Sequence, residues 1–232
     1  MNLHVGTSGY SYKEWKGNFY PEDFPAKEML AYYSRRLPAV EINNTFYRLP
    51  QVSMIENWKE QVPESFRFSI KATQRITHIK RLKNCSEETK YLLDTASLLG
   101  DRLGVVLFQL PPNSKKDLER LREFLGCLPE TIRCAFEFRH ESWFEDDTFA
   151  ALHAKNCALV VSDTDEKPLD DIISTAAWGY LRLRKTSYEA KDLKEWMKRV
   201  QNQNWSDAFI FFKHEDEGVG PKLAAKFLKL AK

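Results

Sequence analysis

The chain has 232 residues, 43% of them hydrophobic and 29% charged, which is the composition of an ordinary globular protein and excludes a disordered one. Its formal net charge of +2 excludes a protein that binds nucleic acid through overall charge, so only local clusters of cations could do so. The four cysteines form no C-x-x-C pair, and the chain shows neither a signal peptide nor an apolar run long enough to span a bilayer. We therefore expect reduced thiols and a cytoplasmic protein with no membrane contact.

Short apolar runs alternate with amphipathic stretches along the whole chain. We predict eight strands, at 3–8, 39–46, 66–71, 104–110, 132–139, 158–162, 178–184 and 208–213. After each predicted strand, apolar residues recur at helical spacing and predict a helix. These helices cover 26–37, a stretch from 53 onward, 86–99, a stretch with leucines at 118, 121 and 125, 146–155, 171–176, 189–200 and 221–230.

Local signals mark where several of these helices begin or end. Ser53 and Glu56 have the spacing of a capping box, and Ser114 is placed to cap the fourth helix. Gly100 is placed to end the third helix, and Pro221 to occupy the first position of the last one.

About eight strand–helix units with no linker and no break in composition predict right-handed βαβ units and a parallel sheet. That number of units in a chain of this length is typical of a closed TIM-type (β/α)₈ barrel, formed by residues 1–232 as a single domain. The alternative is an open doubly wound sheet, but no glycine-rich nucleotide-binding motif is present to favour it.

Polar residues recur near the carboxyl ends of the predicted strands: Glu41, Asn43, Lys71, Gln109, Glu137, Arg139, Asp163, Arg182, Arg184 and Lys213. Side chains two apart on a strand share a face, and the carboxyl ends of barrel strands are where such folds place their chemistry. We predict that these side chains meet at the C-terminal mouth of the barrel. The alternative is a buried salt-bridge network of Glu41, Lys71, Glu137 and Arg182 that only fills the barrel.

Five segments, in order along the chain, resemble those of one known family. They read VGTSGYSYKEWKGNFYP (5–21), VEINNTFYRLP (40–50), FSIKATQRITH (68–78), LFQLPP (107–112) and AFEFRHESWF (135–144). Over nearly its whole length the chain resembles the YecE-like family, known as domain of unknown function 72. The resemblance implies a TIM-type barrel and supplies no reaction. The segments YLRLRKTSY (180–188) and FFKHEDEG (211–218) depart from the common family pattern.

Several residues around the predicted mouth are candidates for contact with a ligand. Tyr10 and Trp15 lie in an aromatic first βα segment that could stack a base or a sugar ring. His78 lies in a basic loop, and cations outnumber acids among the strand-end residues. This excess of cations favours an anionic ligand.

A metal site is another possibility, with Glu41, Glu137, Asp163, His140 and His214 as conceivable ligands. No H-E-x-x-H motif or paired-histidine spacing is present, and only the three acids are expected to point inward. We predict no bound metal and no other cofactor.

The leading hypothesis is an enzyme that acts on a small anionic or sugar-like molecule. Glu137 would be the general acid or base, and Arg139 with Arg182 would hold the anion. Lys71 would be a second acid–base group or a Schiff-base lysine, and Glu41 completes the candidate catalytic set. One alternative is a nucleic-acid-binding protein that uses the basic loops and the aromatic segment. Another is a non-enzymatic adaptor whose mouth binds a metabolite. The sequence does not indicate an oligomeric state.

Overall fold

The computed structural model describes residues 1–166, 171–214 and 216–231. All strand pairings in this part of the chain are parallel. The strands are β1 (Asn2–Ser8), β2 (Ala39–Ile42), β3 (Arg67–Lys71), β4 (Leu103–Gln109), β5 (Cys134–Glu137), β6 (Ala158–Leu159), β7 (Val161–Asp163), β8 (Gly179–Leu183) and β9 (Asp207–Phe212). The α-helices are α1 (Met29–Ser34), α2 (Val52–Gln61), α3 (Ser86–Ser97), α4 (Leu118–Gly126), α5 (Asp146–His153), α6 (Ala190–Gln201) and α7 (Val219–Lys229).

The strands follow one another around a ring, in the order β6-β5-β4-β3-β2-β1-β9-β8-β7. The two ends of this order, β6 and β7, are consecutive in the chain and are separated only by Val160. They are two halves of one interrupted strand, which pairs with β5 through two residues and with β8 through three. The sheet therefore forms a nearly closed barrel of the TIM type, as the sequence predicts.

The strand residues alternate between the barrel interior and the layer of helices outside it. Inside, small and aromatic side chains pack together, among them Ala39, Val105, Leu107, Ala135, Tyr180, Phe209 and Phe211. The alternate positions pack against the helices and form the larger core. Because both faces of each strand are buried, the strands read as continuous apolar runs.

The second strand is shorter than predicted. It ends at Ile42, and a 3₁₀ turn over Asn44–Phe46 follows it. Thr45 donates its hydroxyl to the carbonyls of Ile42, at 3.2 Å, and Lys71, at 2.7 Å, which turns the chain out of the sheet.

Three of the predicted helix starts were wrong. Helix α2 begins one residue before Ser53, with Gln51 as its N-cap and no side-chain cap. The cap of α4 is Asp117, whose carboxylate accepts from the Arg120 backbone N–H at 3.1 Å, whereas Ser114 lies in the preceding turn. Helix α7 follows Gly218, which has φ of +68°, so Pro221 is its third residue. A proline is tolerated there because the first backbone N–H groups of a helix have no partner within it.

The helix predicted at 171–176 is absent from the described residues, and 167–170 lie outside them. Residues 171–178 run as irregular chain between β7 and β8. Thr175 explains this conformation, because its hydroxyl accepts from the Leu159 N–H and donates to the Cys157 carbonyl, both at 2.8 Å. These bonds tie the segment to the base of the interrupted strand.

No helix in the described part of the chain is both long enough and apolar enough to cross a membrane.

Candidate functional site

The C-terminal ends of the strands carry a cluster of polar side chains that point into the barrel. At its centre are two carboxylates and two guanidinium groups, which we call the mouth network: Glu41 on β2, Glu137 on β5, and Arg182 and Arg184 on and just after β8. Strand alternation explains their placement, because Glu41, Glu137 and Arg182 continue the inward series of Ala39, Ala135 and Tyr180.

Arg182 lies between the two carboxylates and is only 2% exposed. Its Nη2 donates to Glu41 Oε1 at 2.9 Å, and its Nη1 donates to Glu137 Oε2 at 2.6 Å. These carboxylates raise the pKa of Arg182 against the opposing effect of burial. The guanidinium is therefore a fixed charge that holds strands β2, β5 and β8 together at the mouth.

Glu41 is fully buried and is surrounded by donors. Besides Arg182, it accepts from Ser8 Oγ at 2.7 Å, from Tyr180 Oη at 2.7 Å and from Asn43 Nδ2 at 3.1 Å. Burial alone would raise the pKa of this carboxyl, but Arg182 and the hydroxyl donors lower it below its ordinary value. Glu41 is therefore ionised at neutral pH.

Glu137 is 1% exposed and is also held by several donors. Its Oε1 accepts from Arg184 Nη2 at 3.0 Å, and Gln109 adds a side-chain hydrogen bond. Burial opposes ionisation, yet the two arginines and these hydrogen bonds lower the pKa of Glu137 to about 2. Arg184 also donates to Ser162 Oγ.

Lys71, at the end of β3, is partly buried beside this network. Its pKa is lowered to about 8, first by burial and then by repulsion from Arg182, while Glu41 and Glu137 oppose the shift. No carboxylate of the described residues lies within ion-pair distance of its Nζ. The Lys71 Nζ lies over the ring of Phe46, 4.3 Å from the ring centre.

A cavity of about 770 Å³ opens at the mouth above β5 and β7. Its polar lining includes Glu137, Arg139, Ser162, Thr164 and Arg184. Arg139, two residues beyond the end of β5, is exposed and is in no ion pair among the described residues. The cavity is thus lined by Glu137, whose carboxylate is ion-paired, and by Arg139, whose guanidinium is in no ion pair among the described residues.

Asp163 does not point into the barrel, which corrects the prediction that it joins the mouth. Its Oδ2 accepts from Tyr188 Oη and from Trp196 Nε1, each at 3.0 Å, and Lys185 Nζ lies 3.3 Å from Oδ1. Trp196 belongs to α6, so Asp163 faces the helix layer. The inward positions of this strand are Val160 and Ser162, which line the cavity.

The aromatic first βα segment is packed rather than open. Trp15 is fully buried, in contact with Tyr12, Phe19 and Tyr20, so the predicted ligand contact of Trp15 was wrong. Tyr10 is partly buried and lines a separate cavity of about 450 Å³ between α1 and α2, not the mouth.

The other predicted contact residues lie around the mouth. Asn43 and Gln109 hydrogen-bond the buried carboxylates, as described above. His78 packs its ring against Phe46 at 4.8 Å, and its pKa is lowered by burial and by Lys71, Arg139 and Arg81. Lys213 is exposed and close enough to lower the pKa of Lys71.

Sequence reasoning missed four members of the cluster: Ser8, Ser69, Ser162 and Tyr180. Ser69 Oγ lies 2.6 Å from Tyr180 Oη, which itself donates to Glu41. Each of these residues lies at an inward position of its strand, so the two-residue period would have found them once one inward residue per strand was known.

The described residues contain no group of three or more His, Cys, Asp or Glu side chains that could hold a metal ion. Glu41 and Glu137 approach each other only through Arg182, and a guanidinium between two carboxylates takes the place that a cation would need.

The fold and the site together define a TIM-type barrel protein with an ion-paired polar cluster at its C-terminal mouth. The model of a family described as "Protein of unknown function DUF72" matches residues 4–232, and the chain belongs to that family. This confirms the resemblance seen in the sequence.

Relatives support the same assignment. The UPF0759 protein YunF of Bacillus subtilis (strain 168) is 24% identical over 231 residues, covering 93% of this chain and 79% of YunF. The UPF0759 protein YecE of Escherichia coli (strain K12) is 32% identical over 138 residues, 57% of this chain and 51% of YecE. The crystal structure of the DUF72 protein TM1631 of Thermotoga maritima superposes with a TM-score of 0.81, at 24% identity over 100% of this chain and 99% of that one. That likeness shows the fold.

Proposed function

We propose that this protein is an enzyme acting on a small anionic or sugar-like molecule bound at the barrel mouth, with Lys71 as its acid–base group. One observation carries the proposal. Lys71 and Arg139 border the mouth with no carboxylate partner among the described residues, whereas both buried carboxylates are already paired.

Two cations without a carboxylate partner favour an anionic ligand. Arg182 and Arg184 neutralise Glu41 and Glu137 through direct ion pairs. Lys71 and Arg139 are then two cations at the mouth with no ion-pair partner among the described residues, while the exposed carboxylates of Glu141 and Glu166 also line the cavity. A phosphate or a carboxylate would supply the missing acceptors, because charge-assisted hydrogen bonds to arginine and lysine are the strong ones in proteins.

The ion pairs of the mouth network change the roles that the sequence predicts for Glu137 and Arg182. A carboxylate with a pKa of about 2 and several donors is a poor base, so Glu137 acts by fixing Arg184. Arg182 is buried and engaged with two carboxylates, so it acts by positioning them. Arg139 and Arg184, which both line the cavity, remain as the groups that would contact the anion.

Lys71 has the properties required of an acid–base residue. With a pKa of about 8, a useful fraction of its amine is neutral near physiological pH, and the rest is protonated. A partly desolvated amine of this kind can remove a proton or form a Schiff base with a carbonyl group. Asn43 Oδ1, just after β2, is buried with no hydrogen-bond partner among the described residues, so it is an acceptor that a hydroxyl group of the ligand would satisfy.

Binding of inorganic phosphate and of citrate, measured by titration calorimetry, tests the proposal. We expect the parent protein to bind at least one of them, and Lys71→Met and Arg139→Met each to weaken it by about tenfold or more. Lys83→Met removes an exposed charge from the neighbouring loop and should change nothing. Absence of binding, or equal binding by all four proteins, would overturn the proposal.

The nucleic-acid alternative has less support. Trp15 and Tyr20 of the aromatic segment are buried, so they offer no surface on which bases could stack. In the basic loop, Lys80 is paired with Glu88 at 2.6 Å.

A further inference from the structure

Three aromatic rings lie next to Lys71 at the edge of the mouth, and we call them the aromatic wall: Phe46, Tyr47 and His78. The Phe46 ring lies over the Lys71 amine, and it meets the His78 ring at 4.8 Å and the Tyr47 ring at 5.1 Å, both edge to face. Phe46 and Tyr47 come from the turn after β2, and His78 comes from the segment after β3. The site described above uses none of these rings.

The outer part of this wall is exposed to an unusual degree. Tyr47 is 77% exposed and Ile79 is 71% exposed, and both lie on the loops that surround the mouth. Phe144, which is 44% exposed, lines the cavity itself. Large apolar side chains grouped around a polar pocket are typical of a binding surface.

The segment that presents His78 and Ile79 is strained and fastened in place. Residues Arg75–Ile79 form a π-helix, a form found mostly at functional sites. Arg81, Leu82 and Asn84 then adopt left-handed backbone angles with φ between 49° and 66°. Such conformations persist only where the surroundings enforce them.

Ion pairs and a hydrogen bond hold the segment after β3 in this conformation. Glu88 on α3 pairs with Arg75 at 2.9 Å and with Lys80 at 2.6 Å. Arg81 donates to Asn113 Oδ1, in the loop after β4, at 3.3 Å. The part of the wall that His78 forms is thus preorganised, which lowers the entropic cost of holding a ligand against it.

Cations surround the wall as well as the cavity. Lys71, Arg139 and Arg81 all lie close enough to His78 to act on its charge. A ring placed against Tyr47 and Phe46 would therefore have cations near it, with the Lys71 amine 4.3 Å from the centre of the Phe46 ring. Aromatic rings next to cations fit one molecule that has both a flat apolar part and an anionic part.

We propose that the ligand of the mouth is an anion that carries a planar ring, with a phosphate or carboxylate joined to an aromatic or heteroaromatic group. The ring packs on Tyr47 and Phe46, and the anionic group lies between Lys71 and Arg139. This inference rests on the proposed function and adds to it the class of substrate.

Four phosphates test the inference by titration calorimetry: inorganic phosphate, cyclohexyl phosphate, phenyl phosphate and adenosine monophosphate. We expect the two compounds with planar rings to bind about tenfold or more tightly than inorganic phosphate, and more tightly than cyclohexyl phosphate, because stacking of one ring adds that much. Tyr47→Ala should remove this advantage and leave the affinity for inorganic phosphate unchanged. Tyr47→Phe should retain the advantage.

Tyr91→Ala is the matched control, because Tyr91 is an exposed tyrosine on α3. It should leave all four affinities unchanged. Equal affinity for all four phosphates would overturn the inference while leaving the anion site intact, and no binding of any phosphate or of citrate would overturn both proposals. A single-stranded oligonucleotide that binds far more tightly than adenosine monophosphate, with a Tyr47-dependent affinity, would overturn the small-molecule inference in favour of a nucleic acid.

Discussion

Glu137 accepts hydrogen bonds from two guanidinium groups in a place that water hardly reaches. A buried ion pair of this kind adds little to stability compared with well-packed apolar residues, but removal of one partner leaves the other charged and unpaired. The contacts of Glu137 therefore decide what its substitution does.

We expect Glu137→Gln to lower the free energy of unfolding by about 3–5 kcal/mol, because it leaves Arg182 and Arg184 without one counter-charge. Denaturation by urea measures the difference. Glu141→Gln, at an exposed carboxyl that lines the same cavity, is the control and should stay within about 0.5 kcal/mol of the parent. A Glu137→Gln protein as stable as this control would contradict the prediction.

Lys71 makes stability depend on pH in the alkaline range. Its pKa in the folded protein is about 8, against an ordinary value of 10.5. Between these values the unfolded chain binds the proton and the folded protein does not, so stability rises with pH there. The cost of the half-buried ammonium is present in full below pH 8 and disappears as the pH approaches 10.5.

We therefore expect Lys71→Met to be more stable than the parent at pH 7 by at least about 1 kcal/mol, and the difference to shrink towards pH 10.5. Urea denaturation of both proteins across this range isolates the contribution of Lys71 from that of the other lysines. A difference that is constant with pH would contradict the assigned pKa.

The site could be predicted from the sequence in part. Glu41, Glu137 and Arg182 stand out because a charge within an apolar run must be paired or used. Asp163 could not be assigned, because residues 158–161 of its strand are all apolar and both faces of a barrel strand are buried. Which face points inward depends on the pairing partner, and that is information from elsewhere in the chain. The pairing of Arg182 with both carboxylates likewise requires the three-dimensional register.

At the scale of elements, the connection between β7 and β8 differs most from the prediction. Apolar residues at helical spacing suggest a helix over 171–176, but the hydroxyl of Thr175 fixes the chain in another form by satisfying two backbone groups of the sixth strand. A polar side chain that hydrogen-bonds backbone groups in this way competes with helix formation, so a segment with helical spacing can adopt another conformation. It also makes Thr175 a structural residue.

Thr175→Val keeps the shape of the side chain and removes its hydroxyl. We expect a loss of about 1–3 kcal/mol, because the N–H of Leu159 and the carbonyl of Cys157 lose the partner that now satisfies them. Thermal melts measure the change. Thr131→Val, at an exposed threonine, provides the reference and should melt with the parent. Equal melting of the two variants would show that water replaces the hydroxyl.

At the scale of the whole molecule, the barrel follows from the alternation of strands and helices, which is a local pattern that the sequence displays directly. The order of the strands around the ring also follows, since neighbours in space are consecutive in the chain except for β1 and β9, the first and last strands, which pair with each other. The interruption at Val160 is not visible in the sequence, because it depends on how the strand pairs with β5 on one side and β8 on the other.

That interruption makes the sixth strand the weakest segment of the ring. β6 is tied to β5 through two residue pairs and β7 to β8 through three, whereas β1 and β9 share six. Local opening should begin there, so the amides of 158–163 should exchange with deuterium faster than those of 2–8. Mass spectrometry of exchanged peptides measures this, and equal rates in the two strands would contradict it. Because Val160 and Ser162 also line the cavity, such an opening would widen the wall of the proposed binding site, and a ligand would enter where this strand separates from its neighbours.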